Sequence, residues 1–191
     1  TWIMWAKIVV SCLPAAVIGL LFDDLFTALF FNWYTVAIAL IVFGIAFIII
    51  ENKNKKLQPK VETLDDLSFG QAFIIGLFQV IAAVFPGTSR SGATILGGLM
   101  IGVSRTVAAE FTFFLAIPVM FGASLLKIAK FGLEFTPEEG ILLAVGMVVA
   151  FVVSIIAIKF LIGYIKKNDF KVFGWYRIIL GLIVIDYFLI K

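Results

Sequence analysis

Apolar residues gather in long blocks over 3–22, 33–50, 107–129, 139–162 and 171–190. Each is close to the roughly 20 residues that a helix needs to cross a bilayer. Two shorter apolar segments, 69–85 and 93–103, flank the polar heptapeptide Pro86-Gly87-Thr88-Ser89-Arg90-Ser91-Gly92. At 1.5 Å per residue they would measure about 25 and 16 Å, short of the roughly 30 Å hydrocarbon core. Pro86 and Gly87 stop the first segment, and Gly92 loosens the backbone ahead of a second half-helix beginning near Ala93. Gly97, Gly98 and Gly102 give that half-helix a smooth face for close packing. The pattern predicts an all-α polytopic membrane protein with five spanning helices and one re-entrant helix-loop-helix over 69–104.

Loop charges orient these elements, because inner loops carry the excess of Lys and Arg. Residues 23–32 hold Asp23 and Asp24 without Lys or Arg and read as outer. Residues 51–68 hold Lys53, Lys55, Lys56 and Lys60 and read as an inner, solvated loop. Lys130, Glu134 and Glu138 lean outward, whereas Lys166, Lys167 and Lys171 place the last loop inside. The assignments alternate consistently if 69–104 enters and leaves on the inner side. The alternative, one kinked spanning helix, would put Arg90 in lipid and reverse every later loop. The whole of 1–191 is then one membrane domain: two spans in 1–50, the inner loop 51–68, the hairpin 69–104 and three spans in 105–191. Lys7, Lys127, Lys130 and Lys159 read as interfacial anchors, as do Trp33 and Tyr34. No convincing internal repeat is visible.

Composition agrees and removes some chemistry. The chain is 63% hydrophobic and 14% charged, with mean hydropathy +1.16, against about 25% charged residues in a soluble domain. A single cysteine, Cys12, excludes a disulfide framework and suits helix packing. The absence of His removes the usual neutral-pH base and the commonest zinc ligand. A net charge of +3, with Lys gathered in loops, gives nucleic-acid binding no support. The chain opens Thr1-Trp2-Ile3-Met4-Trp5, and it reads as a piece of something longer.

The heptapeptide carries the clearest candidate chemistry. A helix N-terminus offers free N–H groups and a positive dipole end to an anion. Gly87 and Gly92 let successive amides converge, and Thr88, Ser89 and Ser91 add hydroxyl donors. Arg90 can grip two phosphate oxygens with its planar fork. The spacing matches neither a Walker loop nor a dinucleotide fingerprint. A hairpin that merely satisfies its own backbone would leave the intramembrane arginine costly. Glu110, five residues after Arg105, could bind a cation, orient Arg90 or transfer protons; equally, it could pair with Arg105 at the interface. Arg177, about two turns into the last helix, is a further phosphate-binding candidate, and Gln79 could hydrogen-bond within the site.

On these residues the chain resembles the undecaprenyl-diphosphate phosphatase family of the bacitracin-resistance type. The matching stretches are Gly76-Leu77-Phe78-Gln79, the heptapeptide 86–92, Ala108-Ala109-Glu110-Phe111, Tyr176-Arg177-Ile178 and Leu13-Pro14-Ala15-Ala16-Val17-Ile18-Gly19. The resemblance implies an inverted-repeat fold, of which 1–50 ends the first repeat, in the bacterial plasma membrane. It implies hydrolysis of undecaprenyl diphosphate to undecaprenyl phosphate and phosphate at the outer face, recycling the carrier for cell-wall synthesis. Arg90 and Ser89 would be catalytic; Gly87, Thr88, Ser91, Gly92 and Arg177 would bind phosphate; Gln79, Arg105 and Glu110 would support them. A divalent cation, Mg or Ca, is implied as cofactor. The expected partners are the lipid diphosphate and membrane lipids, with no nucleic acid, and a homodimer is a candidate assembly. The family's first hairpin, with its glutamates, serines and histidine, has no counterpart here. The metal ligands are therefore expected outside this sequence, and this chain alone is expected to be inactive. A secondary transporter or flippase for a phosphorylated lipid would share midplane anion sites and is the rival expectation.

Overall fold

A computed structural model describes residues 2–55, 58–131 and 136–190. Lys56 and Glu134, and the side chains of Asp23 and Lys130, lie outside it. Its seven helices among the described residues are α1 (Trp2–Phe30), α2 (Trp33–Asn54), α3 (Phe69–Val84), α4 (Arg90–Met100), α5 (Arg105–Phe131), α6 (Pro137–Ile165) and α7 (Lys171–Ile190). Five are long and apolar enough to cross a membrane, within α1, α2, α5, α6 and α7. The protein is an all-α polytopic membrane protein.

Several boundaries differ from the sequence expectation, each for a local reason. α1 runs on through 23–30, because nothing in Phe22–Phe30 breaks a helix and the rings of Phe22, Phe26 and Phe30 pack in tilted pairs at i, i+4 spacing. The outer loop expected over 23–32 therefore shrinks to Phe31 and Asn32, and Asn32 caps α2 by accepting from the Thr35 amide at 2.9 Å. α2 continues to Asn54, which takes Glu51 and Lys53 out of the expected solvated loop. α4 begins at Arg90 rather than near Ala93, because Ser89 caps it: its hydroxyl accepts from the Gly92 amide at 3.3 Å.

The helices pack through small residues. α2 and α7 run antiparallel, and a Cβ at Gly44 would come within 2.7 Å of the Gly174 carbonyl. Such contact lets backbones meet where lipid offers no hydrophobic drive. The stacked rings of Trp33 and Phe188 close the opposite end of the same pair. α3 lies against α1 with Gly76 on the Ser11 backbone. α4 is buried throughout from Gly92 to Leu99, enclosed by α2, α3 and α5. α6 leans on α5 and exposes its side chains from 137 to 160.

One end of the bundle is tied together by polar contacts. Glu51, fully buried, accepts from the Arg105 guanidinium and from the Phe170 amide at 3.1 Å. Lys55 pairs with Asp169 at 3.4 Å. The segment before α3 bonds to the exit of α4, with Lys60 N–H donating to Gly102 O at 2.8 Å and Ser104 N–H to Val61 O at 2.9 Å. Lys7 is buried and donates to the Asp65 carbonyl at 2.9 Å. It is therefore a tether for this segment and not the interfacial anchor expected of it. Both feet of the α3–α4 hairpin thus stand at the Glu51 end. The hairpin tip reaches towards the other end, with Gly87 against Val36 in the first turn of α2. Fifteen residues of helix separate Val36 from Glu51, or about 22 Å.

Candidate functional site

The tip folds as a tight turn of unusual backbone. Gly87 has φ +89° and packs on α2, where a Cβ would lie 2.8 Å from the Val36 carbonyl. Ser89 has φ 62° and ψ 116°, a conformation that costs a non-glycine residue about 1–3 kcal/mol and persists only where its surroundings impose it. Gly92, expected to help turn the backbone, instead lies inside α4, where a Cβ would sit 3.4 Å from the Phe47 ring. Ser89 Oγ lies 3.3 Å from Ser91 Oγ, and both serines are exposed. The amides of Arg90 and Ser91, at the N-terminus of α4, have no acceptor among the described residues. Free amides, two hydroxyls and a guanidinium at one helix start form an anion-binding arrangement.

A cavity of about 150 Å³ opens beside the tip, lined by Gln79, Arg90, Ser91, Thr94, Thr112, Phe113 and Ala116. Arg90 is half-buried at its mouth, and Gln79, only 3% exposed, brings its amide from α3. Thr94 donates to the carbonyls of Arg90 and Ser91, both at 3.1 Å. Arg177 meets the tip differently from expectation. Its Nη1 donates to the Thr88 carbonyl at 2.8 Å, so α7 holds the loop backbone. Thr88 is fully buried, and its hydroxyl has no partner among the described residues. It therefore packs inside the loop and presents no hydroxyl to a ligand in this conformation.

Two expected supporting residues stand apart. Arg105 is 54 residues from its actual partner, Glu51, at the far end of the bundle. Its pairing with Glu110 is therefore absent. Glu110 is half-buried in the second turn of α5 and makes no ion pair or hydrogen bond among the described residues. It is not among the residues that line the cavity. Among the described residues no three of His, Cys, Asp and Glu converge as a metal site. Sequence reasoning missed Thr94, Thr112 and Glu51. A hydroxyl four residues after Arg90 was a readable signal for Thr94 alone.

The sequence profile of the family described as Bacitracin resistance protein BacA matches residues 1–183. A protein of Desulfitobacterium hafniense named undecaprenyl-diphosphatase is 70% identical over 185 residues, covering 97% of this chain and 66% of its own. Undecaprenyl-diphosphatase 1 of Clostridium acetobutylicum is 64% identical over 187 residues, covering 98% and 68% respectively. A protein of Enterococcus faecalis named undecaprenyl-diphosphatase is 64% identical over 192 residues, covering 99% and 69%. The chain spans about two-thirds of the length of these curated relatives.

Proposed function

The chain belongs to the bacitracin-resistance BacA family, and on that premise we propose that its hairpin tip binds the diphosphate of undecaprenyl diphosphate during hydrolysis to undecaprenyl phosphate and phosphate. The observation that carries the reading is the meeting of Arg90, the Ser89 and Ser91 hydroxyls and the unpaired amides of α4 beside one small cavity. In this reaction the oxygen of water bonds to the terminal phosphorus while the bridging P–O bond breaks. The lipid phosphate leaves with the bridging oxygen. Charge spreads over the phosphoryl oxygens, so catalysis rests on positioning and electrostatic stabilisation. Arg90 supplies the fixed positive charge, the α4 amides supply preorganised donors, and Ser89 stands exposed at the strained turn.

The bacterial plasma membrane is the proposed location, with the Glu51 end inside, where the lysine-rich loops lie. The isoprenoid stays in lipid while its head group reaches the tip between helices. The divalent cation implied by the resemblance, Mg or Ca, finds no ligand set among the described residues. A cation requirement is part of the proposal for the full-length protein.

Orthophosphate release from undecaprenyl diphosphate by the full-length protein in detergent tests the reading. Removal of one preorganised donor typically lowers turnover by about 10²–10³-fold, and Arg90→Ala is expected to lose at least that much. Release undiminished in Arg90→Ala would refute the assignment. Transport in proteoliposomes without hydrolysis would replace the enzyme with the transporter.

A further inference from the structure

The wall of the cavity formed by Thr94 and Thr112 is polar in a directional way. The Thr94 hydroxyl spends its one hydrogen on the carbonyls of Arg90 and Ser91, which can only accept. The Thr112 hydroxyl, 3.0 Å away, must therefore be the donor in the Thr112–Thr94 bond. Its hydrogen is committed. What Thr112 has left for the cavity is lone pairs, on a residue 4% exposed and surrounded by protein. Gln79 lines the same cavity at 3% exposure, with no hydrogen-bond partner among the described residues. Its amide offers both a donor and an acceptor.

An anion pocket built from donors alone accepts any oxyanion of the right size. This one has donors on the Arg90 side and a fixed acceptor on the α5 side. We propose that the cavity holds a single phosphate group that carries a proton, with Thr112 accepting from the P–OH and Gln79 and Arg90 donating to the ionised oxygens. Thr112 and Gln79 are then specificity-determining residues that separate phosphate from fully ionised tetrahedral anions. The proposal rests on the reading that the tip binds phosphate, and it adds which protonation state is held and which residues choose it. The volume of about 150 Å³ leaves room for one tetrahedral group.

Inorganic phosphate and sulfate are the probes, since at neutral pH phosphate bears a proton and sulfate does not. Each is titrated calorimetrically into the full-length protein at pH 7 and tested as an inhibitor of undecaprenyl diphosphate hydrolysis. Phosphate is expected to bind about tenfold or more tighter than sulfate, the size of one matched against one opposed hydrogen bond. In Thr112→Val the preference falls towards unity by loss of phosphate affinity, while Thr112→Ser, which keeps the hydroxyl, retains it. Equal binding of the two anions by the unmodified protein overturns the proposal without recourse to any variant. A preference unchanged in Thr112→Val overturns it as well. Hydrolysis without anion selectivity sinks this subsite and leaves the phosphatase reading standing. Selectivity without hydrolysis does the reverse.

Discussion

Replacing Arg177 by methionine separates two roles for an intramembrane arginine. In the structure its guanidinium donates to the Thr88 carbonyl at 2.8 Å, an acceptor with no other partner among the described residues. A hydrogen bond from a charged donor contributes about 1.5–3 kcal/mol, and losing it also leaves a carbonyl unpaired. If the tip must hold its shape for reaction, that translates into a fall of about 10- to 150-fold in hydrolysis. Thermal unfolding in detergent should fall too, because α7 loses its tie to the hairpin. Arg177→Lys should recover part of both, since it keeps a charged donor on the same turn. A direct phosphate ligand would behave differently: inhibition by inorganic phosphate would weaken as much as hydrolysis does. Support of the loop predicts that hydrolysis falls further than phosphate affinity. The measurements are kcat/KM for orthophosphate release, the inhibition constant of inorganic phosphate and the melting temperature. Wild-type hydrolysis and melting in Arg177→Met would refute the reasoning.

Glu51→Leu removes a fully buried carboxylate and leaves Arg105 and the Phe170 amide without their acceptor. Breaking a buried pair costs about 3–5 kcal/mol. Because the Arg105 side chain is 34% exposed, the lower end, about 3 kcal/mol, is expected in chemical or thermal unfolding; an unchanged midpoint would contradict it. Gly44→Ala would bring a methyl within 2.7 Å of the Gly174 carbonyl and the Ile178 side chain. It should destabilise by about 1–3 kcal/mol and, by shifting α7, lower orthophosphate release in the same assay.

The helices and the hairpin were legible in the sequence because membrane spans announce themselves through unbroken apolar length. The heptapeptide was legible because its polarity has no lipid-facing use. Helix ends were less so: whether 23–30 continues α1 depends on tilted aromatic pairs that hydropathy does not encode. Glu51 was misread because local composition placed it in a charged run, whereas its partners arrive from 54 and 119 residues away. Lys7 was misread for the same reason, its acceptors being carbonyls more than 50 residues distant. Thr112 carried no signal, as one hydroxyl in an apolar helix is common and its meaning lies in Thr94.

These misreadings share a physical cause that also explains the tip. Pro86-Gly87, with φ +89° at the glycine and the Thr88 amide donating to the Phe85 carbonyl, is a turn that local sequence favours, but a serine at φ 62° is not. Distant groups must therefore hold the serine. Val36 of α2 presses on Gly87, Arg177 of α7 holds the Thr88 carbonyl, and Thr112 of α5 orients Thr94, which fixes the first turn of α4. Each support comes from a different spanning helix. The Glu51–Arg105 pair and the Lys60–Gly102 contact fix the hairpin's feet some 20 Å below. A loop restrained from three sides and at its base keeps its amides and guanidinium aimed before any ligand arrives. Such preorganisation is what charge stabilisation in phosphoryl transfer requires. The apolar bundle is thus the scaffold that keeps Thr88, Ser89, Arg90 and Ser91 in a shape they would not adopt alone.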